Sequence, residues 1–303
     1  RLEENFRSTP NILELADKLI SVNTKRKQKR LIATLPRGRD ISVNSYDNEE
    51  AEAQGLASAV KTLIDEGVSP DKIAVFYRVN SMSRPIEEAF VKRNLPYQVV
   101  RGVEFYSRKE IRDLISYLKL ITNPDDNVAF NRAVGTHSRG IGKTTLQRLG
   151  AYAEKNGLSL FAAAKEASRI DTLSKSAQGK VAAFANMIES FRLQASGSVA
   201  DLMQAVFQET GLESVMVQAG EKQEAALENI SELISSAAKY DQQIREDGAE
   251  PSLVDYLQSI ALYSDSDAYD PEAPRVSLMT LHAAKGLEFD NTFIVGLEDG
   301  MLP

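Results

Sequence analysis

Three side chains able to handle charge, His282, Lys285 and Glu288, stand in one short polar connector, HAAKGLE, at residues 282–288. Apolar runs at residues 276–281 and 293–295 flank it, each short enough to be a buried strand. A glycine-containing connector of this kind presents polar groups at the carboxyl ends of a sheet, where α/β proteins collect ligands. A second candidate is Arg7, just ahead of Ser8-Thr9-Pro10. That triplet reads as a helix start, with a hydroxyl at the N-cap and proline at the first helical position. Free N–H groups and the helix dipole favour anions there. A guanidinium at that place serves a phosphate or pairs with a surface carboxylate, and spacing alone leaves both open. A third group, Arg78, Asn80 and Arg84, follows the continuous apolar run IAVFY, residues 73–77, and so lies at a strand's carboxyl end. Its other reading is a loop of capping residues.

The string GIGKTT at residues 140–145 suggests a phosphate-binding P-loop and fails the test of spacing. The pattern G-x-x-x-x-G-K-[ST] needs a glycine at 137, where this chain has His137. It fails on context as well, because residues 128–134 read as helix and not as strand. Two readings are left for Gly140, Gly142 and their neighbours: a plain helix-to-helix turn, or a turn whose bare backbone lets N–H groups approach a phosphate. In the second, Arg139 and Lys143 add charge without reading sequence.

The elements that must position these residues follow from periodicity. Ile12, Leu13, Leu15, Ala16, Leu19 and Ile20 give the helix after Pro10 one apolar face. Residues 41–46 alternate as a strand, residues 49–66 form an amphipathic helix closed by Gly67, and residues 73–77 form a buried parallel strand, making a β-α-β unit. The next helix has Pro85 near its start. From residue 102 to about 270 the period is helical, with helices expected at residues 111–121, 158–167, 182–193, 199–207, 225–238 and 253–262. Strand patterns return only at Val276. The expected fold class is therefore α/β, a parallel-sheet domain split by a large all-α insertion, with the Ser- and Asp-rich residues 264–274 as a flexible return.

Composition narrows the function classes. A chain of 303 residues, 43% hydrophobic and 26% charged, has an ordinary globular make-up and room for two domains. It has no cysteine and two histidines, far apart, so no disulfide, thiolate zinc site or other metal-ligand set is expected. No apolar run approaches the roughly 20 residues of a membrane span. The amino end, RLEENFRST, is neither a signal peptide nor an initiator Met, so the chain reads as a piece of a longer, cytoplasmic protein. Its net charge of −7 argues against a general nucleic-acid coat, but local basic runs at residues 25–30 and 101–112 are candidate stripes for phosphate or solvated helix ends.

Specific strings carry a resemblance. TLHAAKGLEF at residues 280–289, with the G-x-E-x-G-x-x-P that follows, resembles motif V of the superfamily 1 DNA helicases of the UvrD/Rep/PcrA type. LEENFRST at residues 2–9 resembles their motif IV, usually QNYRST; here Glu4 replaces Gln, and Phe6 replaces Tyr, keeping the flat ring and losing the hydroxyl. YRVNSMSRPIEE at residues 77–88 resembles motif IVa. GVEFYSRKEIRDLISYL at residues 102–118 resembles the start of domain 2B, and RGIG at residues 139–142 resembles a 2B signature akin to the helix-hairpin-helix turns that hold duplex DNA.

The resemblance implies an ATP-dependent DNA helicase and translocase acting 3′ to 5′. Residues 1–101 and 271–303 would be a truncated RecA-like domain 2A, and residues 102–270 the all-α 2B insertion. Carried over residue by residue, Arg7 would stabilise the transferred phosphoryl group from across a cleft, Phe6 would stack on adenine, and Gly286 and Glu288 would bind the nucleotide, Glu288 at the ribose. His282, Arg78, Asn80 and Arg84 would grip single-stranded DNA. Arg139, Gly140, Gly142 and Lys143 would hold duplex DNA. ATP with Mg²⁺ is expected of the full-length enzyme. These 303 residues contain no Walker A loop or acidic Mg²⁺ motif, so they are expected to hold the trans half of the site, to bind no nucleotide tightly and to be inactive alone. The N-terminal RecA-like domain of the same parent chain is the expected partner. The alternatives are a non-catalytic DNA-binding or regulatory protein of the same shape, and the helicase subunit of a recombination nuclease.

Overall fold

The computed structural model describes residues 3–23, 31–218, 223–264, 273–300 and 302. It is a mixed α/β protein in which every strand pairing among the described residues is parallel. Four strands, β3 (Ile73–Tyr77), β4 (Tyr97–Val99), β5 (Val276–Thr280) and β6 (Asn291–Ile294), form a sheet in the order β4-β5-β3-β6. The central pair needs no alternation in sequence because both faces are covered. Ile73, Val75, Tyr77, Val276 and Leu278 are buried in one cluster with Val60 and Phe90 from the helices α2 (Glu49–Asp65) and α3 (Ser83–Lys92). Asn48 caps α2 by accepting from Ala51 N, and Gly67, at φ +94°, supplies the left-handed turn after its end. A second, two-stranded sheet joins β1 (Glu4–Asn5) to β2 (Ile32–Ala33), with α1 (Pro10–Ser21) between them.

Between residues 105 and 264 every described regular element is a helix, and these helices hold a separate hydrophobic core. The helices are α4 (Lys109–Thr122), α5 (Asn127–Gly135), α6 (Lys143–Asn156), α7 (Leu160–Lys165), α8 (Lys175–Leu193), α9 (Val199–Glu209), α10 (Leu212–Gln218), α11 (Glu224–Glu246) and α12 (Leu253–Ser264). Leu114, Tyr117 and Leu118 of α4 pack with Phe130, Phe184, Val206 and Leu233 from four other helices. Among the described residues no helix is long and apolar enough to cross a membrane.

Two expectations change. Residues 41–46 form no strand: Ile41 and Val43 are 45% and 86% exposed, and the Tyr46 ring lies against Gly55 of α2 instead. Period-2 alternation yields a strand only where the segment meets a ladder; residues 41–46 pair with no described strand, and both sides of β3 are held by β5 and β6. The apolar face of α1 is present, yet Ile12, Leu15, Leu19 and Ile20 remain exposed, while polar Asn11 is the buried residue. Asn11 earns that place by hydrogen bonding, donating to Arg39 O and accepting from Gly38 N and Thr9 Oγ1. The expected basic run at residues 25–30 and residues 265–272 of the expected return at 264–274 lie outside the described residues.

Candidate nucleotide and nucleic-acid site

The connector at residues 282–288 touches a different predicted arginine at each of its ends. In the parallel register Tyr77 stands beside Thr280, and Leu281 N donates to Tyr77 O at 2.9 Å, so β3 and β5 end at the same level. Arg78 and His282 are thereby brought together, with Arg78 Nη1 3.4 Å from His282 Nδ1. A guanidinium only donates, so Nδ1 is the acceptor in this contact. The connector then turns back on itself: Ala284 N donates to Thr280 O, Leu287 N donates to Ala284 O, and Gly286 adopts φ +91°. Phe289 pins its far end, edge-on to Phe76 of β3 with centroids 6.2 Å apart.

At that far end Glu288 Oε2 accepts from Arg7 Nε at 3.1 Å. Arg7 is held by local chemistry. The Asn5 side chain accepts from Arg7 N and Ser8 N, making a tight turn between β1 and the start of α1. Phe6 is 72% exposed, and the Arg7 and Glu288 side chains are 58% and 73% exposed. An open aromatic ring next in sequence to a cation that meets a carboxylate offers partners for the base, phosphates and ribose hydroxyls of a nucleotide.

Arg84 differs from its expected role. Its side chain is 5% exposed and its guanidinium is committed to carboxylates, bonding Glu88 at 2.9 Å and Glu232 of α11 at 2.7 Å, with Glu50 of α2 at 3.6 Å. Burial works to lower its pKa, but Glu88 and Glu232 outweigh that and raise it. Beside it Lys239 of α11 pairs with both Glu49 and Glu50 of α2. Arg84 therefore ties the helical segment to the sheet segment. Its i, i+4 spacing to Glu88 was the visible signal for an ion pair.

A second buried charge system lies below it. Arg108, 8% exposed, donates to Val103 O, Asn229 Oδ1 and Ser83 Oγ. Glu87 accepts from Phe105 N, the first residue of the turn leading into α4, and lies 3.9 Å from Arg108. Burial pushes the Glu87 carboxyl up to about 7, against hydrogen bonds from Ser83 and Phe105 N and the charge of Arg108, which pull it down.

The glycine turn joins two helices, α5 and α6, so the P-loop reading fails structurally as well. Gly140 has φ +69°, Gly142 is the extended N-cap of α6, and Lys143 is its exposed first residue. Arg139 is not a free cation here. It donates to Ala133 O and Thr210 O and lies over the Tyr117 and Phe184 rings, bracing the turn from inside. Its place on the surface is taken by a residue the motif did not include, Lys180 of α8, whose Nζ would collide with any Cβ at Gly140. No string could have found Lys180, because only the packing of α8 brings it there.

Over residues 1–303 the chain matches the UvrD-like helicase C-terminal domain. It is 37% identical over 311 residues to the ATP-dependent DNA helicase PcrA of Bacillus subtilis (strain 168), an alignment covering 100% of this chain and 41% of that protein. It is 37% identical over 323 residues to the ATP-dependent DNA helicase UvrD1 of Mycobacterium tuberculosis (strain ATCC 25618 / H37Rv), again covering 100% of this chain and 41% of the relative. DNA helicase II of Escherichia coli (strain K12) is 35% identical over 305 residues, covering 100% of this chain and 42% of that protein. The chain thus spans about two fifths of the length of the curated relatives it matches.

Proposed function

The chain belongs to the UvrD-like helicase C-terminal domain family, and from that premise we propose that it is part of an ATP-dependent DNA helicase and translocase acting 3′ to 5′. Residues 1–101 with 271–303 act as domain 2A and residues 102–270 as domain 2B, in a cytoplasmic protein. The observation that carries the reading is the connector of residues 282–288. One short segment meets Arg78 through His282 at one end and Arg7 through Glu288 at the other. A nucleotide side and a nucleic-acid side that share one short connector can move together, which is what a translocase requires.

ATP supplies the free energy when its γ-phosphoryl group is transferred to water. This chain's residues orient it. Phe6 offers its ring to adenine, Glu288 with the Gly286 turn faces the ribose, and Arg7 reaches the phosphates from the side opposite a phosphate cradle. The N-terminal RecA-like domain of the parent chain supplies that cradle and the Mg²⁺ ligands. Arg78, Asn80 and His282 hold a single strand. Gly140, Gly142 and Lys143, with Lys180 beside them, hold a duplex phosphate.

The test is DNA-stimulated ATP hydrolysis and unwinding of a 3′-tailed duplex by the full-length protein. Stimulated turnover with unwinding supports the motor. Tight DNA binding without turnover would overturn it in favour of a non-catalytic DNA-binding protein.

A further inference from the structure

The basic run at residues 101–112 is not used by the site above, and the fold gives part of it a purpose. Arg108, Lys109 and Arg112 surround a cavity of about 580 Å³ together with Arg132 of α5, Asn80 and Asn229. One carboxylate, Glu110, shares the lining, and its Oε1 already accepts from Asn229 Nδ2 at 2.6 Å. Behind the wall, buried Asp113 is shared by two cations, Lys109 at 2.6 Å and Arg132 at 2.7 Å. Arg132 Nε is buried and has no hydrogen-bond partner. Arg112 is exposed and is in no ion pair among the described residues. Against the four cations stand Glu110 in the lining, Asp113 behind it and Glu87 beside Arg108, so the cavity keeps a positive balance, and it lies at the start of α4, whose first N–H groups add to the same field.

Its position selects the anion. The turn Asn80–Met82 stands between this cavity and another of about 810 Å³, lined by Arg78, Ser81, Leu227, Glu228, Ser231 and Glu232. On that side Glu232 is already paired with Arg84, so Glu228 is the carboxylate that lines the cavity with Arg78. A polyanion held at Arg78 and Asn80 is therefore repelled by Glu228 and drawn past Asn80 into the basic cavity.

We propose that this cavity binds a phosphodiester of the single strand, adjoining the nucleotide held at Arg78 and Asn80, with Arg112 and Lys109 as its adaptable cationic ligands. This rests on the DNA-binding reading given above. The site thereby extends the strand's path from the sheet to the base of the helical segment.

The test is titration of a labelled single-stranded oligonucleotide with the full-length protein over a range of salt, using Arg112→Gln, Lys109→Gln and, for the reading it rests on, Arg78→Ala. Arg112→Gln should flatten log K against log salt by about 0.7, the loss of one single-strand phosphate contact, without changing the melting temperature. Lys109→Gln should add a similar loss. Unchanged slopes for both, with Arg78→Ala still weakening the strand, would overturn the cavity and leave the DNA reading standing. No effect from any of the three would sink both. Competition by inorganic phosphate that Arg112→Gln abolishes, with strand binding untouched, would mark a free-phosphate site and overturn the proposal.

Discussion

Arg7 Nε lies 3.1 Å from Glu288 Oε2 although the residues are 281 positions apart in sequence. Both side chains are more than half exposed, so the pair contributes about 0–1 kcal/mol. A phosphate can displace the carboxylate at little cost. The contact holds the guanidinium at the proposed nucleotide surface without locking it there.

In the full-length protein Arg7→Ala should lower kcat for ATP about 10³-fold, the scale of a trans-acting arginine. DNA affinity and melting temperature should hardly change, because only an exposed pair is lost. Steady-state hydrolysis at saturating single strand measures this. A fall of less than roughly tenfold would leave Arg7 as a surface residue.

Arg78→Ala and Asn80→Ala should weaken single-strand binding more than duplex binding. Arg78→Ala also frees His282 Nδ1 of its donor. Equal losses on both substrates in equilibrium titrations would show that the strand end does not select single strands.

Arg84→Ala should act on stability instead of binding. It strands Glu88 and Glu232 at the junction, and losing one partner of a buried ion pair costs about 3–5 kcal/mol. Urea unfolding should show that loss, while single-strand affinity of the folded variant stays within about twofold. A stable variant that binds the strand poorly would return Arg84 to the nucleic-acid surface.

The Glu87 carboxyl carries a pH signature. Burial raises it from 4.5 to about 7, so the folded protein keeps a proton that the unfolded chain releases. The stability this confers is complete below about 4.5, falls as pH rises toward 7 by at most about 1.4 kcal/mol per unit, and is gone above. Glu87→Gln keeps an acceptor for Phe105 N and should remove that slope from urea midpoints measured across the window. An identical pH profile in the variant would mean that Arg108 holds the carboxylate ionised.

At the glycine turn, Lys143→Ala and Lys180→Ala should each weaken binding to the duplex arm of a junction, whatever its sequence, and reduce the salt slope by about 0.9. ATP affinity should stay unchanged. A Lys143→Ala variant that loses ATP affinity at constant salt slope would revive the P-loop reading. An effect from Lys143→Ala alone would remove Lys180 from the contact.

Much of this architecture is written locally. The run IAVFY at residues 73–77 became a central strand to the residue, and the amphipathic run beginning at Glu49 became a helix of almost the expected length, because burial on both faces or on one leaves its own period in the sequence. The motif strings likewise singled out Arg7, Arg78, His282 and Glu288, and the structure pairs them, Arg78 with His282 and Arg7 with Glu288. Tertiary structure decided which of the charged residues are free. Arg84 and Arg139 look like surface cations in sequence, yet Glu232, 148 residues away, and Thr210, 71 residues away, bind them inside the protein. Lys180 and Arg132 joined the candidate surfaces only through helix packing. Periodicity records how each segment meets the core, whereas a charged side chain's partner depends on contacts between segments, and those exist only once the helices and the sheet have packed.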